Sequence, residues 1–122
     1  MSTEPLIAVI DDDESMRGAV VALVRSSGYD ARGFASAEEF LACQAVHSFT
    51  CIITDIQMPG MSGIELKHHL AASQYPMPVI MITARQDAGL EESAIASGAF
   101  GFLQKPFEAD TLIDYLERAV GE

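Results

Sequence analysis

The stretch Cys51-Ile52-Ile53-Thr54-Asp55-Ile56-Gln57-Met58-Pro59-Gly60 decides how this chain is read. Its opening apolar run has the character of a buried strand, and it breaks off abruptly at a carboxylate. Pro59 and Gly60, with Gly63 just beyond, force an irregular loop, so Asp55 stands where a strand opens into that loop. A carboxylate in that position contributes little to packing. It is well placed for chemistry, because ligand sites in open α/β sheets lie outside the carboxyl ends of the strands.

Upstream, Leu6 to Ile10 is a second buried run, and it ends in Asp11-Asp12-Asp13. A helix follows from about Glu14, with Asp13 as its N-cap and Gly28 as its stop, burying Met16, Val20, Leu23 and Val24. Asp30 to Phe34 is a weaker strand. Ser36-Ala37-Glu38-Glu39 is a capping box that opens a helix with Phe40 and Leu41 facing inward. Downstream, Ser62-Gly63-Ile64-Glu65 is a second capping box, starting a helix that runs to about Ser73. Tyr75-Pro76-Met77-Pro78 breaks it and introduces the strand Val79 to Ile82, which ends at Thr83-Ala84. Asp87 caps a further helix stopped by Gly98; its thin apolar content, Leu90, Ile95 and alanines, predicts loose packing. Phe100 to Leu103 is the last strand, Gln104-Lys105-Pro106-Phe107 turns the chain, and residues 109–120 form a final helix burying Leu112, Tyr115, Leu116 and Ala119.

Strand and helix thus alternate throughout, which predicts a parallel sheet with helices on both faces. Right-handed crossovers reduce the topologies to a flavodoxin-like, doubly wound five-stranded (βα)5 sheet of order 2-1-3-4-5. In that order the first and third strands are neighbours, roughly 4.8 Å apart. The acids after the first strand then lie beside Asp55.

Bulk properties agree with one α/β domain over residues 1–122. With 7 basic and 18 acidic residues the net charge is −11, which argues against binding nucleic acid or an anionic membrane and suits a cation site. Cys43 and Cys51 lack CxxC spacing and read as reduced, packed thiols. The opening Met1-Ser2-Thr3-Glu4-Pro5 has no basic region of the signal-peptide kind, and the apolar runs are too short to span a bilayer. The expected compartment is the cytoplasm.

Crowding acids has an energetic consequence. Two carboxylates about 5 Å apart at an effective dielectric of about 20 repel by roughly 3 kcal/mol. Asp11, Asp12 and Asp55 therefore call for protonation or a bridging cation. Oxygen donors suit a hard ion, Mg²⁺ first. Read alone, the Asp11-Asp12-Asp13 run is a solvated, helix-capping turn, Thr83 a β-branched strand end and Lys105 a surface lysine. Brought to one edge by topology, they supply a nucleophilic carboxylate, a divalent-ion site, a hydroxyl and an ammonium. Phosphoryl transfer needs these parts, since it is catalysed mainly by positioning and charge neutralisation.

Four segments carry a resemblance along the entire chain: Val9 through Arg17, Asp55 through Gly63, Ile82-Thr83-Ala84, and Gly101 through Phe107. The sequence resembles the receiver domain of two-component response regulators, of the FixJ type that precedes DNA-binding domains. The resemblance implies that Asp55 accepts a phosphoryl group from a sensor histidine kinase or a histidine phosphotransfer protein. It implies that Asp12, Asp55 and the backbone carbonyl of Gln57 hold Mg²⁺, with Asp11 bound through water, and that Lys105 pairs with Asp55 and then with phosphoryl oxygens. It also implies a cis peptide between Lys105 and Pro106. Thr83 would turn toward the phosphoryl group and Phe102, where many receivers carry tyrosine, would follow inward. That movement alters the surface of the last two helices and last strand, which controls an output domain or partner and can drive homodimerisation. Gln57 and Arg85 flank the site and are expected to set phosphoryl lifetime. The kinase is expected on the outer face of the first helix, around Gly18, Val21, Ala22 and Arg25, with Val21 in contact.

Other residues read as ordinary. His68 and His69 are adjacent on a helix, about 100° apart, and cannot ligate one ion from one face. His47 reads as a loop residue, and Met58, Met61, Met77 and Met81 as loop and core filling. Three competing functions remain. A haloacid-dehalogenase-type phosphotransferase or phosphatase requires an acid where Gln57 stands. A flavodoxin-like cofactor binder requires a Ser/Thr/Gly-rich loop where the triple aspartate stands. A phosphorylation-independent pseudo-receiver has no need of Asp12, Asp55, Thr83 and Lys105.

Overall fold

In the computed structural model, which describes residues 5–43, 46–85 and 87–121, the predicted alternation is present. The strands are β1 (Leu6–Ile10), β2 (Asp30–Phe34), β3 (Cys51–Asp55), β4 (Val79–Thr83) and β5 (Gly101–Gln104). The helices are α1 (Glu14–Ser26), α2 (Ala37–Ala42), α3 (Gly63–Ala72), α4 (Ala88–Ala96) and α5 (Ala109–Gly121), with a 3₁₀ turn at Val46–Ser48. All pairings are parallel and the order is β2-β1-β3-β4-β5, as the sequence predicts.

Why β1, β3 and β4 are almost wholly apolar follows from the two layers. Side chains alternate between the faces of a strand, and here both faces are covered. Ala8, Ile10, Ile52, Val79 and Met81 pack with Phe40, Leu66, Leu70 and Ala94 from α2, α3 and α4. Ile7, Val9, Ile53, Ile80 and Ile82 pack on the other face with Val20 and Val24 of α1 and Leu112 and Leu116 of α5. Phe34, Phe40 and Phe49 close the first layer edge to face, with ring centroids 5.3 to 5.8 Å apart.

Several local expectations are corrected. Val21 is half-buried at the rim of the second layer, and α1 therefore does not offer it as a freely exposed residue. The cause is Gly33 on β2, whose missing side chain lets Val21 and Arg17 settle over the strand. Met16, Leu23, Leu41, Tyr115 and Ala119 are likewise only partly buried. The reciprocal capping box forms at Ser62/Glu65 but not at α2: Ser36 accepts the Glu39 N–H, while the Glu39 carboxylate turns back to the Ala35 N–H. The last strand starts at Gly101, leaving Phe100 42% exposed in the preceding connection. Loose packing of α4 is observed: Ala94 is its buried residue, and Ile95 is 60% exposed.

Candidate functional site

A parallel sheet delivers every strand's carboxyl end to one edge. Register does the rest: Ile10 pairs with Thr54, so the residues that follow, Asp11 and Asp55, leave the sheet side by side. Carboxylate oxygens of Asp11, Asp12 and Asp55 lie within 4.8 Å of one another. Asp11 is buried, Asp55 half-buried and Asp12 exposed, so the cluster opens to solvent on the Asp12 side. The lysine after β5 reaches across: Lys105 Nζ lies 3.5 Å from Asp11 Oδ2 and 3.8 Å from Asp55 Oδ2. The sequence reading gave Lys105 only the second of these partners. The Lys105–Pro106 peptide is cis, as the resemblance implies.

One ammonium against three carboxylates leaves an excess of negative charge. Burial pushes the Asp55 carboxyl up from an ordinary 3.8 to about 6; the Lys105 charge pulls it down, Asp11 raises it, the Gln57 backbone N–H lowers it, and Asp12 raises it. The donor set is all oxygen, close-packed, net negative and open at one side. It fits a hard divalent cation such as Mg²⁺.

The backbone beneath Asp55 is held from three directions. Ile56 N–H donates to Ile82 O at 2.9 Å, Gly63 N–H donates to Ile56 O at 2.9 Å, and Thr54 Oγ1 donates to Asp55 O at 2.9 Å. Gly63 begins α3 directly against this backbone: a Cβ there would lie 2.6 Å from Asp55 O and 3.1 Å from Ile56 Cα. The loop after β1 is held too, by Arg17 Nη1 donating to Asp11 O at 2.8 Å and by Asp11 Oδ1 accepting the Asp13 N–H at 3.0 Å. Sequence reasoning missed the roles of Arg17 and Gly63, both of which sit in its matched segments.

On the other side of the site, Thr83 is fully buried and its hydroxyl accepts the Arg85 N–H at 3.1 Å. The Arg85 side chain is exposed, donating from Nη1 to Gln57 Oε1 at 3.2 Å, and its carbonyl accepts from Gln104 Nε2 at 3.0 Å. The two flanking residues predicted separately, Gln57 and Arg85, are thus in contact. Phe102 is half-buried and lines a cleft of about 380 Å³ with Arg85, Asp87, Ala88, Glu91 and Gln104. The remaining polar candidates stay apart from the site. His68 and His69 are exposed on α3, and the side chain of His47 lies outside the described residues. Both cysteines are free, with burial pushing the Cys51 thiol up to about 12.

Comparison with known proteins places this arrangement. The profile described as response regulator receiver domain matches residues 7–117. The chain belongs to that family. It is 40% identical over 120 residues to the transcriptional regulatory protein FixJ of Bradyrhizobium diazoefficiens, covering 98% of this chain and 58% of that protein. It is 37% identical to the C4-dicarboxylate transport transcriptional regulatory protein DctD of Rhizobium meliloti, covering 98% of this chain and 26% of that one. Among solved structures it is similar to FixJ-N, with a TM-score of 0.88, 32% identity, and coverage of 98% of this chain and 95% of that one. The chain is a receiver domain of a two-component response regulator, and it spans just over half the length of this FixJ and about a quarter of this DctD. No helix among the described residues is long and apolar enough to cross a membrane.

Proposed function

We propose that Asp55 is the phosphoacceptor of this receiver and that residues 1–122 act as one receiver unit. The observation that carries the reading is the half-buried Asp55 within 4.8 Å of Asp11 and Asp12 and 3.8 Å from Lys105. The bond from an Asp55 carboxylate oxygen to phosphorus forms as the phosphorus–nitrogen bond of a donor phosphohistidine breaks, and the departing imidazole nitrogen keeps the electron pair and takes a proton. Later attack by water releases inorganic phosphate and restores the carboxylate. The chain accepts and sheds its own phosphoryl group and does not turn over an external substrate.

Asp11, Asp12, Asp55 and the Gln57 carbonyl would hold Mg²⁺, which supplies charge neutralisation at the phosphoryl oxygens. Lys105 Nζ already stands between Asp11 and Asp55, and it neutralises charge without having to move far. Gln57 and Arg85, joined by a hydrogen bond, govern the approach of hydrolytic water. Thr83 exchanges its bond to the Arg85 N–H for one to the phosphoryl group, freeing Phe102 to turn inward beside the loosely packed α4. Two charge-assisted bonds, at about 1.5–3 kcal/mol each, approach the roughly 5.5 kcal/mol that inverts a 1:99 equilibrium.

The partners follow from the same reading: a sensor histidine kinase or histidine phosphotransfer protein in the cytoplasm delivers the group. The α4-β5-α5 surface then controls an output domain or dimerises. Its relatives are transcriptional regulators longer than this chain, which favours a DNA-binding output. The test is to incubate the chain with Mg²⁺ and a small acyl-phosphate donor and measure intact mass. A receiver gains one labile phosphoryl group that Asp55→Asn cannot gain. Turnover of external phosphomonoesters would point to a hydrolase instead, and no mass gain would exclude phosphoacceptance.

A further inference from the structure

The loop from Gln57 to Ser62 carries the carbonyl that the proposed function assigns to the cation, yet much of it is solvent-exposed. Its ends are tied locally, by the Gly63 N–H to Ile56 O and by the Ser62/Glu65 capping box. Its apex is held from a different element. Met61 N–H donates to Glu38 Oε2 at 2.8 Å, across twenty-three residues of sequence. Among the described residues, Glu38 is the one side chain from outside the loop and the helix it leads into that takes a backbone N–H of this loop.

Two features make the contact a built one. Gly60 lies in the left-handed region at φ +79, and a Cβ there would sit 2.5 Å from Glu38 Oε2, so only glycine admits the carboxylate at this place. Glu38 itself is presented by the first turn of α2, which is anchored by the fully buried Ala37 and Phe40 and by the Ser36 cap on the Glu39 N–H. A charge-assisted bond to a backbone N–H is stronger than a neutral one, and it fixes both the position and the direction of the loop.

We propose that Glu38 is a positioning residue for the cation site: its carboxylate clasps the Gly60–Met61 backbone and holds the loop in the shape that points the Gln57 carbonyl at the cation. The inference rests on the proposed Mg²⁺ site and adds a residue that no motif in the chain marks. Partners that orient metal ligands from outside the ligand set commonly change affinity by about 10- to 100-fold when removed. Glu38 acts through the loop backbone, so the lower end is expected.

The experiment is a calorimetric Mg²⁺ titration of the metal-free chain, together with hydrogen exchange at the Met61 amide and circular dichroism to verify folding. Glu38→Ala should bind Mg²⁺ about 10-fold more weakly and exchange the Met61 amide faster. Glu38→Gln, which keeps an acceptor oxygen, should fall between it and the parent. Glu39→Ala loosens the same helix turn without touching the loop and should bind Mg²⁺ as the parent does. Glu38→Asp, which keeps the charge but is one methylene too short to reach the Met61 N–H, should repeat the loss if Glu38→Ala does not fold. Unchanged Mg²⁺ affinity in Glu38→Ala with faster Met61 exchange overturns the inference, as does an equal loss in Glu39→Ala. If the parent chain itself takes up no Mg²⁺, the proposed cation site fails and the clasp falls with it.

Discussion

The two sides of the site are built differently. Asp11, Asp55 and Lys105 issue from strand ends in fixed register, lie largely out of solvent, and are braced by Arg17, Thr54 and Gly63. Thr83 is buried as well, but it hands over to an exposed Arg85, a half-buried Phe102 and α4, whose one fully buried residue is Ala94. The difference teaches where rigidity is useful. Charges that must be in place before phosphorus arrives gain from preorganisation, whereas a surface that reports the event must change shape at small cost. The first side is therefore expected to fail in chemistry when altered, and the second in signalling or lifetime.

Asp55→Asn should abolish phosphorylation outright, seen as the absence of any mass gain with acyl phosphate. Removing the ammonium by Lys105→Ala should slow phosphorylation by about 100-fold, the scale of losing one preorganised electrostatic partner; a rate within twofold would break the claim that this side is electrostatic. Gly63→Ala forces a methyl onto Asp55 O and Ile56 Cα and should destabilise the fold by about 1–3 kcal/mol in urea unfolding, with a phosphorylation defect as well. By contrast, Arg85→Ala removes exposed contacts and should cost under about 1 kcal/mol. Its readout is a changed phosphoryl lifetime at an unchanged rate of phosphorylation.

The acid side also carries a pH signature in the metal-free protein. The folded Asp55 carboxyl stands near about 6 against 3.8 ordinarily, so the proton is held more tightly folded than unfolded. Its favourable contribution to stability is complete below 3.8 and is lost as pH rises through about 6. Asp55→Asn should thus gain in melting temperature relative to the parent between pH 4 and pH 7. Saturating Mg²⁺ should narrow that gap, and a gap independent of pH would contradict the assigned environment.

Much of this arrangement is legible in the letters. Apolar runs with abrupt acidic or threonine ends reveal both the strands and the edge where chemistry gathers, because a strand buried on both faces leaves no room for alternation. The acid cluster is legible once the strand order is known, since register alone sets Asp11 beside Asp55. What stays hidden depends on side chains meeting across the fold. Glu38 occupies an unspecified position inside the Ser36–Glu39 capping pattern, yet it holds a loop twenty-three residues away. Val21 looks outward by helical spacing, but Gly33 opens a seat beneath it. Lys105 shows one partner to the motif and a second, Asp11, only in three dimensions.

The most direct test of the central claim is a crystal structure grown with magnesium and beryllofluoride. The account predicts beryllofluoride bonded to Asp55, a magnesium ion on Asp11, Asp12, Asp55 and the Gln57 carbonyl, and both Lys105 and the Thr83 hydroxyl turned to the fluorines. A map with this pocket empty, or with the ion and the fluoride bound at any other place on the chain, would contradict it.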